Sequence, residues 1–153
     1  MVTSALNTTN GLAANPVTGL QLQQNVFVKN STGVFLISST NGMVQQNDLS
    51  GNSNLGLILS QGSGNQVQNN TVDGNSGDGI DLDGENNDKV HSNTINGNGG
   101  YGLFLDYETS GNQLRNNTSE GNVANDLVDN TGSCGVNNWH NDIFFTSAGP
   151  CIH

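Results

Sequence analysis

Hydrophobic residues along this chain recur in short runs that return every 23 or 24 residues. Four such runs contain Val44, Val67, Val90 and Leu114 at equivalent positions. Each is followed by a second run, such as IDLD at residues 80–83, in which apolar and polar residues alternate. Alternation of this kind is typical of a strand with one buried face. A repeat of about 20 to 50 residues indicates a solenoid, a propeller or an array.

The pattern predicts a stack of about five to six coils with like residues above like, roughly 25 to 30 Å tall at one strand spacing per coil. No apolar period of 3.6 residues occurs, so helical repeats are disfavoured. The predicted inward residues of the second run are Val34 and Leu36, Leu57 and Leu59, Ile80 and Leu82, Leu103 and Leu105, and Leu127. Those of the first run are Phe27, Leu49, Val72 and Ile95.

Asparagine, at 27 residues, recurs in two columns with the same period. The columns are Asn47, Asn70, Asn93 and Asn117, and Asn52, Asn75, Asn98 and Asn122. Asparagine at a bend can bind the backbone and its own copy in the next coil, which forms an amide ladder. The repeat, N-x-[apolar]-x-x-N-x-x-x-G-[apolar]-x-[apolar], resembles the right-handed parallel β-helix repeats of the pectin-lyase-like superfamily over about residues 19 to 145. The resemblance implies an all-β right-handed parallel β-helix, and it leaves activity open because that superfamily includes lyases, hydrolases, epimerases and phage spikes.

One domain is predicted over residues 1–153: a degenerate or truncated first coil at 1–18, regular coils at 19–135 and a C-terminal cap at 136–153. Large residues in the cap, Trp139, Phe144 and Phe145, are expected to plug the last coil. Cys134 and Cys151 bracket this segment, and we expect them to form a disulfide, with a metal or free-thiol role as the alternative. A disulfide indicates an oxidising compartment, so a secreted or periplasmic protein is expected. The cap also resembles the ends of secreted bacterial β-helix proteins.

The charge of the chain and the form of its first coil limit the classes of partner that are expected. The net charge is −10, and Lys29, Lys89 and Arg115 are the only fixed cations, so nucleic-acid binding is excluded. No apolar stretch is long enough to span a membrane. No amphipathic helix precedes the first coil, so its open strand edge is expected to self-associate or dock a partner, with a naturally short end or a cut from a longer solenoid as the alternatives. Because the chain begins inside a repeat, we expect it to be the C-terminal part of a larger secreted protein.

The outward residues of the second run suggest a binding surface. They form two columns: Phe35, Ile58, Asp81, Phe104 and Val128, and Ile37, Ser60, Asp83, Asp106 and Asn130. Aromatic rings and carboxylates together suit a saccharide groove, and packing against a neighbouring domain, chain or loop is the alternative. The predicted ligand-binding residues are Phe35, Ile58, Asp81, Asp83, Phe104, Asp106 and Tyr107.

Three of these carboxylates are also candidate catalytic groups: Asp81, Asp83 and Asp106. Strand geometry separates them by about 5 to 7 Å, which overlaps the spacings of glycosidase pairs. The sequence GDGID at 77–81 resembles part of the NTDGID motif of polygalacturonases, which implies a catalytic role for Asp78 beside Asp81. That family's paired aspartates in the next coil, Gly-His-Gly and Arg-x-Lys are absent, as is the Tyr-Gly-Phe-Asp-Pro-His type of motif of alginate epimerases. Arg115, the only arginine, is expected on a different face.

A calcium site at Asp78, Asp81 and Asp83 is a further prediction, because Ca²⁺ prefers carboxylate and carbonyl oxygens. The alternative is a solvated acidic turn, since six acidic residues crowd this coil between positions 73 and 88. The three histidines show no metal-ligand spacing, so no other cofactor is expected.

The sequence therefore favours an extracellular polysaccharide-binding or scaffold module. A polysaccharide lyase or glycoside hydrolase that acts on acidic glycans through the aspartate cluster is the first alternative, and a purely structural or assembly element is the second. The missing basic and histidine partners favour binding over catalysis.

Overall fold

The computed structural model describes residues 1–133, 136–149 and 151–152. Within those residues it contains eighteen short β-strands, numbered in chain order, and no helix. Accordingly, no helix in the described part of the chain could cross a membrane.

The strands line three faces of a coil, and every pairing between them is parallel. A seven-stranded sheet consists of β2 (Leu12–Ala14), β5 (Val34–Ile37), β7 (Leu57–Ser60), β9 (Ile80–Asp83), β12 (Leu103–Leu105), β15 (Leu127–Asp129) and β18 (Ser147–Ala148). A six-stranded sheet consists of β3 (Gln21–Gln23), β6 (Met43–Gln45), β8 (Gln66–Gln68), β10 (Lys89–His91), β13 (Gln113–Arg115) and β16 (Asn138–His140). The third face consists of β1 (Thr3–Ala5), β4 (Val26–Val28), β11 (Thr94–Asn96), β14 (Thr118–Glu120) and β17 (Ile143–Phe144), and single bridges through Asp48 and Thr71 link β4 to β11.

Register follows the sequence period, so equivalent residues stack from coil to coil. Val67 lies opposite Val44 on one side and Val90 on the other. Leu59 and Leu82 pair in the same way in the seven-stranded sheet. All the predicted inward residues are buried, each with an exposed fraction of 2% or less. The predicted parallel β-helix is therefore confirmed, because apolar residues every second position leave only one side of each strand suited to the core.

Both predicted asparagine ladders are present at the corners. Asn70, for example, accepts from the backbone N–H of Asn47 at 2.9 Å and from its Nδ2 at 3.1 Å. Its own Nδ2 donates to Asn93 Oδ1 at 3.0 Å and to the carbonyl of Val44 at 2.9 Å. The residue before it, Asn69, has a φ of 55°, which turns the chain between two sheets. Each ladder residue thus satisfies buried backbone groups where the strands cannot.

A third ladder follows the seven-stranded sheet and was not predicted. Its members are Asn65, Asp88, Asn112 and Asn137, and the first three end successive sequence repeats. Asn65 N–H donates to Asp88 Oδ1 at 2.7 Å, and Asp88 N–H donates to Asn112 Oδ1 at 2.7 Å. An aspartate thus occupies a position that adjoining coils give to asparagine.

The two ends differ in how they close the stack. Residues 1–18 form a coil, since β1 pairs with β4 and β2 pairs with β5, with Leu12 opposite Val34. At the other end, Trp139 and Phe144 pack against the core, but Phe145 is 79% exposed, so the prediction that it plugs the last coil is wrong. Neighbouring residues on an extended chain face opposite sides, and Phe144 already takes the inward one.

The predicted disulfide includes Cys134, which lies outside the described residues. Its expected partner, Cys151, is 7% exposed. The cross-link therefore stays a prediction.

Candidate functional site

The seven-stranded sheet arranges the predicted binding residues in register on its outer side. Phe35, Ile58, Asp81 and Phe104 pair in succession across β5, β7, β9 and β12. Val128 continues the column but is 2% exposed, so the accessible part of this column ends at Phe104. The four residues span three strand spacings, or about 14 Å along the coil axis.

The second predicted column lies beside the first. Ile37, Ser60 and Asp83 pair in register, and Ser60 Oγ donates to Asp83 Oδ2 at 2.8 Å. Asp106 follows β12, and its N–H donates to the carbonyl of Leu82 at 3.0 Å, which places it one coil from Asp83. Its Oδ1 accepts from the N–H of Tyr107 at 2.7 Å, and the Tyr107 side chain is 75% exposed.

Asp81 is the carboxylate whose chemistry the fold alters most on this face. Burial, together with the neighbouring charges of Asp78, Asp83 and Asp106, raises its pKa from 3.8 to about 7. Its Oδ1 is buried and has no hydrogen-bond partner among the described residues. Asp81 is therefore close to half protonated near neutral pH and has an unused acceptor.

Asp78 lies in the loop before β9. Together with Asp81, Asp83 and Asp106 it forms a group of four carboxylates. Its Oδ1 accepts from the N–H of Tyr101 at 2.6 Å. Burial raises its pKa, and this hydrogen bond opposes the increase. The polygalacturonase-like segment thus places Asp78 and Asp81 close enough to interact electrostatically.

Tyr101 is a site residue that sequence analysis missed. Its ring stacks on that of Phe104, with centroids 5.1 Å apart and planes 16° from parallel. Tyr101 stands one coil after Asp78, and that spacing was the available signal. The pair forms an aromatic platform next to the carboxylates.

No group of three or more histidine, cysteine, aspartate or glutamate side chains in the described part of the chain converges to hold a metal ion. Calcium binding at Asp78, Asp81 and Asp83 therefore stays a prediction. His91, His140 and Arg115 lie in the six-stranded sheet, whereas Asp81 and Asp83 lie in the seven-stranded sheet, so Arg115 is on a different face as predicted.

Two of the six acidic residues for which a solvated turn was the alternative to calcium binding are buried. Glu85 and Asp88, just after β9, are both 0% exposed. Glu85 Oε1 accepts from Gly62 N–H at 2.7 Å, and its Oε2 accepts from Asn65 Nδ2 at 3.2 Å. Burial raises the pKa of both, that of Asp88 to about 9. This pair supports the ladder beneath the acidic face.

Comparison with known proteins agrees with the observed coil. A family model described as a right-handed β-helix region matches residues 3–146. This chain belongs to that family. No curated protein is significantly similar to this β-helix chain in sequence.

Two solved structures resemble this β-helix closely in fold. A mutant of the periplasmic alginate epimerase AlgG gives a TM-score of 0.73 at 23% identity, over 90% of this chain and 31% of that one. The A-module of the mannuronan C-5 epimerase AlgE4 from Azotobacter vinelandii gives 0.68 at 16% identity, over 96% of this chain and 52% of that one. This chain thus spans only 31% to 52% of the length of those proteins.

Proposed function

We propose that this chain is a polysaccharide-binding β-helix module and that the outer face of its seven-stranded sheet is the binding surface. The observation that carries the proposal is the pairing of half-buried Asp81 with Phe104, whose ring stacks on that of Tyr101. Aromatic rings pack against the apolar faces of sugars, and carboxylates accept hydrogen bonds from their hydroxyls.

The acceptors on this face are largely unused. Neither Asp83 Oδ1 nor Asp106 Oδ2 accepts a hydrogen bond within the described residues, whereas the unpaired Asp81 Oδ1 is buried and out of reach of a ligand on the surface. Sugar hydroxyls would supply these donors over the span from Phe35 to Phe104. A ligand whose hydroxyls donate to these carboxylate oxygens gains affinity, because hydrogen bonds to charged groups are stronger than those between neutral groups.

The structural likeness to two alginate epimerases supports a polysaccharide as the ligand class, because those proteins are named for acting on one. The carboxylates here would repel a polyanion, so we expect this face to prefer a neutral glycan, or an acidic one bridged by Ca²⁺. A secreted or periplasmic location is part of the proposal and agrees with the periplasmic description of AlgG.

A second function, acid–base catalysis by a lyase or hydrolase, is favoured by one observation. The pKa of about 7 at Asp81 is close to the value that suits a general acid or base at neutral pH. Strand geometry separates neighbouring members of the group Asp81, Asp83 and Asp106 by about 5 to 7 Å. Glycosidase carboxylate pairs have similar separations.

The test combines ligand-induced stabilisation with turnover. Wild type, Asp81→Asn/Asp83→Asn and a control, Asp48→Asn on the third face, would be melted with neutral and acidic polysaccharides, with CaCl₂ or EDTA. A ligand of the folded state must raise the melting temperature. We expect one glycan to raise it for wild type and the control and not for the double variant. An equal rise in all three, or none with any glycan, would contradict the proposal.

Release of reducing ends and of unsaturated products from the same mixtures separates binding from catalysis. Turnover by wild type and the control that the double variant loses would establish the enzyme alternative. Stabilisation without turnover supports a binding module.

A further inference from the structure

We propose that the outer face of the six-stranded sheet is a second binding surface, which takes an extended polysaccharide that bears uronate carboxylates. This surface lies on a different sheet from the aspartate cluster. The inference rests on its own observations and does not depend on the function proposed above.

The charge of this face is opposite in sign to the net charge of the whole chain. One outward column contains Gln21, Met43, Gln66, Lys89, Gln113 and Asn138, and the other contains Gln23, Gln45, Gln68, His91, Arg115 and His140. Neither column has an acidic residue, although the protein has 13. Two of its three fixed cations and two of its three histidines lie here. The face is therefore locally basic in an acidic protein.

The cations on this face are free to bind a ligand. Lys89 and Arg115 are exposed, and neither forms an ion pair or a side-chain hydrogen bond with any described residue. Burial, and then the charges of Lys89 and Arg115, lower the pKa of His91, so the three groups lie close together. Asp142, in the turn beside His140, is engaged by Asn117, whose N–H and Nδ2 each donate to its Oδ1 at 2.8 Å.

The amides add a regular set of hydrogen-bonding groups. Four side chains, those of Gln45, Gln66, Gln68 and Gln113, make no hydrogen bond within the described part of the chain. Gln45 and Gln68 are neighbours in one column, about 4.8 Å apart, and Gln66 and Gln113 lie on either side of Lys89 in the other. A recess of about 230 Å³ lies beside Arg115 at the end of these columns.

These features fit a polymer with both carboxylates and hydroxyls. An arginine guanidinium binds a carboxylate through two parallel hydrogen bonds, and glutamine amides can donate to and accept from hydroxyls. Two fixed cations are too few for the dense phosphates of a nucleic acid. Side chains stacked in register over six strands also suit an extended chain better than a compact ligand.

Affinity electrophoresis and biolayer interferometry with sodium polygalacturonate test the proposal, and fully methyl-esterified polygalacturonate provides the same backbone without charge. We expect wild type to bind the charged polymer, more weakly as salt rises, and not the ester. Lys89→Gln/Arg115→Gln should weaken binding about tenfold or more, as expected when charged hydrogen bonds are lost. Both side chains are exposed, and glutamine already occupies the positions on either side of Lys89 in the sheet, so the fold should persist, as circular dichroism would verify.

Two matched variants make the result decisive. Arg115→Gln and Lys29→Gln each remove one positive charge, but Lys29 lies in the turn after β4, outside the face. Only Arg115→Gln should weaken binding. Equal binding of the ester, equal losses in both single variants, or a loss that follows Asp81→Asn/Asp83→Asn instead, would overturn the proposal.

Discussion

At the scale of single residues, Asp88 shows how one ladder position differs from its copies. An asparagine there would present Nδ2 where Asp88 presents Oδ2, and that oxygen is buried next to the Glu85 carboxyl group, with no donor from any other described residue. Burial and the adjacent Glu85 raise the pKa of Asp88 to about 9. The two carboxyl groups therefore hold a proton to a higher pH than exposed ones do, and that proton allows a hydrogen bond between them.

Asp88→Asn is expected to make stability less dependent on pH. The folded pKa of about 9 exceeds the usual 3.8, so the contribution of Asp88 is complete below about pH 4 and is lost as pH rises through about 9. Thermal melts between these limits should show wild type losing a few degrees that the variant retains. Glu108→Gln, an exposed position, is the control. A variant that melts lower than wild type at about pH 9 would contradict the idea that asparagine serves at this position as it does in the adjoining coils.

Asp81→Asn separates stability from function. The folded pKa of about 7 lies above 3.8, so Asp81 stabilises the folded state least when it is fully ionised above about pH 7. Removing the charge should raise the melting temperature by a few degrees at about pH 8 while glycan binding falls. Differential scanning calorimetry with and without the polysaccharide would measure both. A variant that is less stable at that pH would indicate a structural role for the carboxylate.

At the scale of the coil, the close approach of consecutive turns depends on a column of glycines before the seven-stranded sheet. A Cβ built at Gly79 would collide with Ile95 Cγ2 and would lie 2.7 Å from the carbonyl oxygen of Gly102. Both neighbours are fixed, one in the core and one in the next coil. The column therefore requires glycine because of crowding rather than because of backbone conformation.

Gly79→Ala should cost about 3 kcal/mol of unfolding free energy, because overpacking displaces both neighbours. Gly74→Ala is the matched control, since its Cβ would meet nothing within 4 Å but its φ is +64°. That control should lose only about 1 kcal/mol from the left-handed conformation. Urea unfolding measures both, and similar losses would show that backbone strain rather than crowding decides this position.

At the scale of the whole molecule, the coil divides charge between its sheets. The seven-stranded sheet carries Asp81 and Asp83, and the six-stranded sheet carries Lys89 and Arg115. A net charge of −10 with few cations makes self-repulsion a general cost of folding. The division allows two surfaces with opposite preferences on one small solenoid.

Added salt is expected to stabilise the protein. Raising NaCl from about 0.01 M to about 0.15 M shortens the screening length from roughly 30 Å to roughly 8 Å and should raise the melting temperature. CaCl₂ at equal ionic strength tests the calcium prediction separately. A further rise in wild type that is absent in Asp81→Asn would support a site at Asp78, Asp81 and Asp83, and a fall with NaCl would contradict the repulsion argument.

The period, the inward residues, the two asparagine columns and the outward face of Asp81 and Phe104 were all determined by the sequence itself. The reason is physical: in a parallel coil of constant length, register repeats the sequence period, so position alone assigns a residue to the core, corner or surface. The third ladder, which includes Asn65 and Asn112, could have been predicted in the same way, because its residues recur at the ends of successive repeats.

Tertiary structure decided the properties that depend on depth and on neighbours from other coils. Periodicity shows that Glu85 and Asp88 follow a strand, but not that the corner closes over them and raises the pKa of both. The stacking of Tyr101 on Phe104 and the exposure of Phe145 likewise depend on the conformation of the segments between strands, whose sequences differ from coil to coil. Burial and electrostatic environment arise from the whole packed coil, so no single repeat contains them.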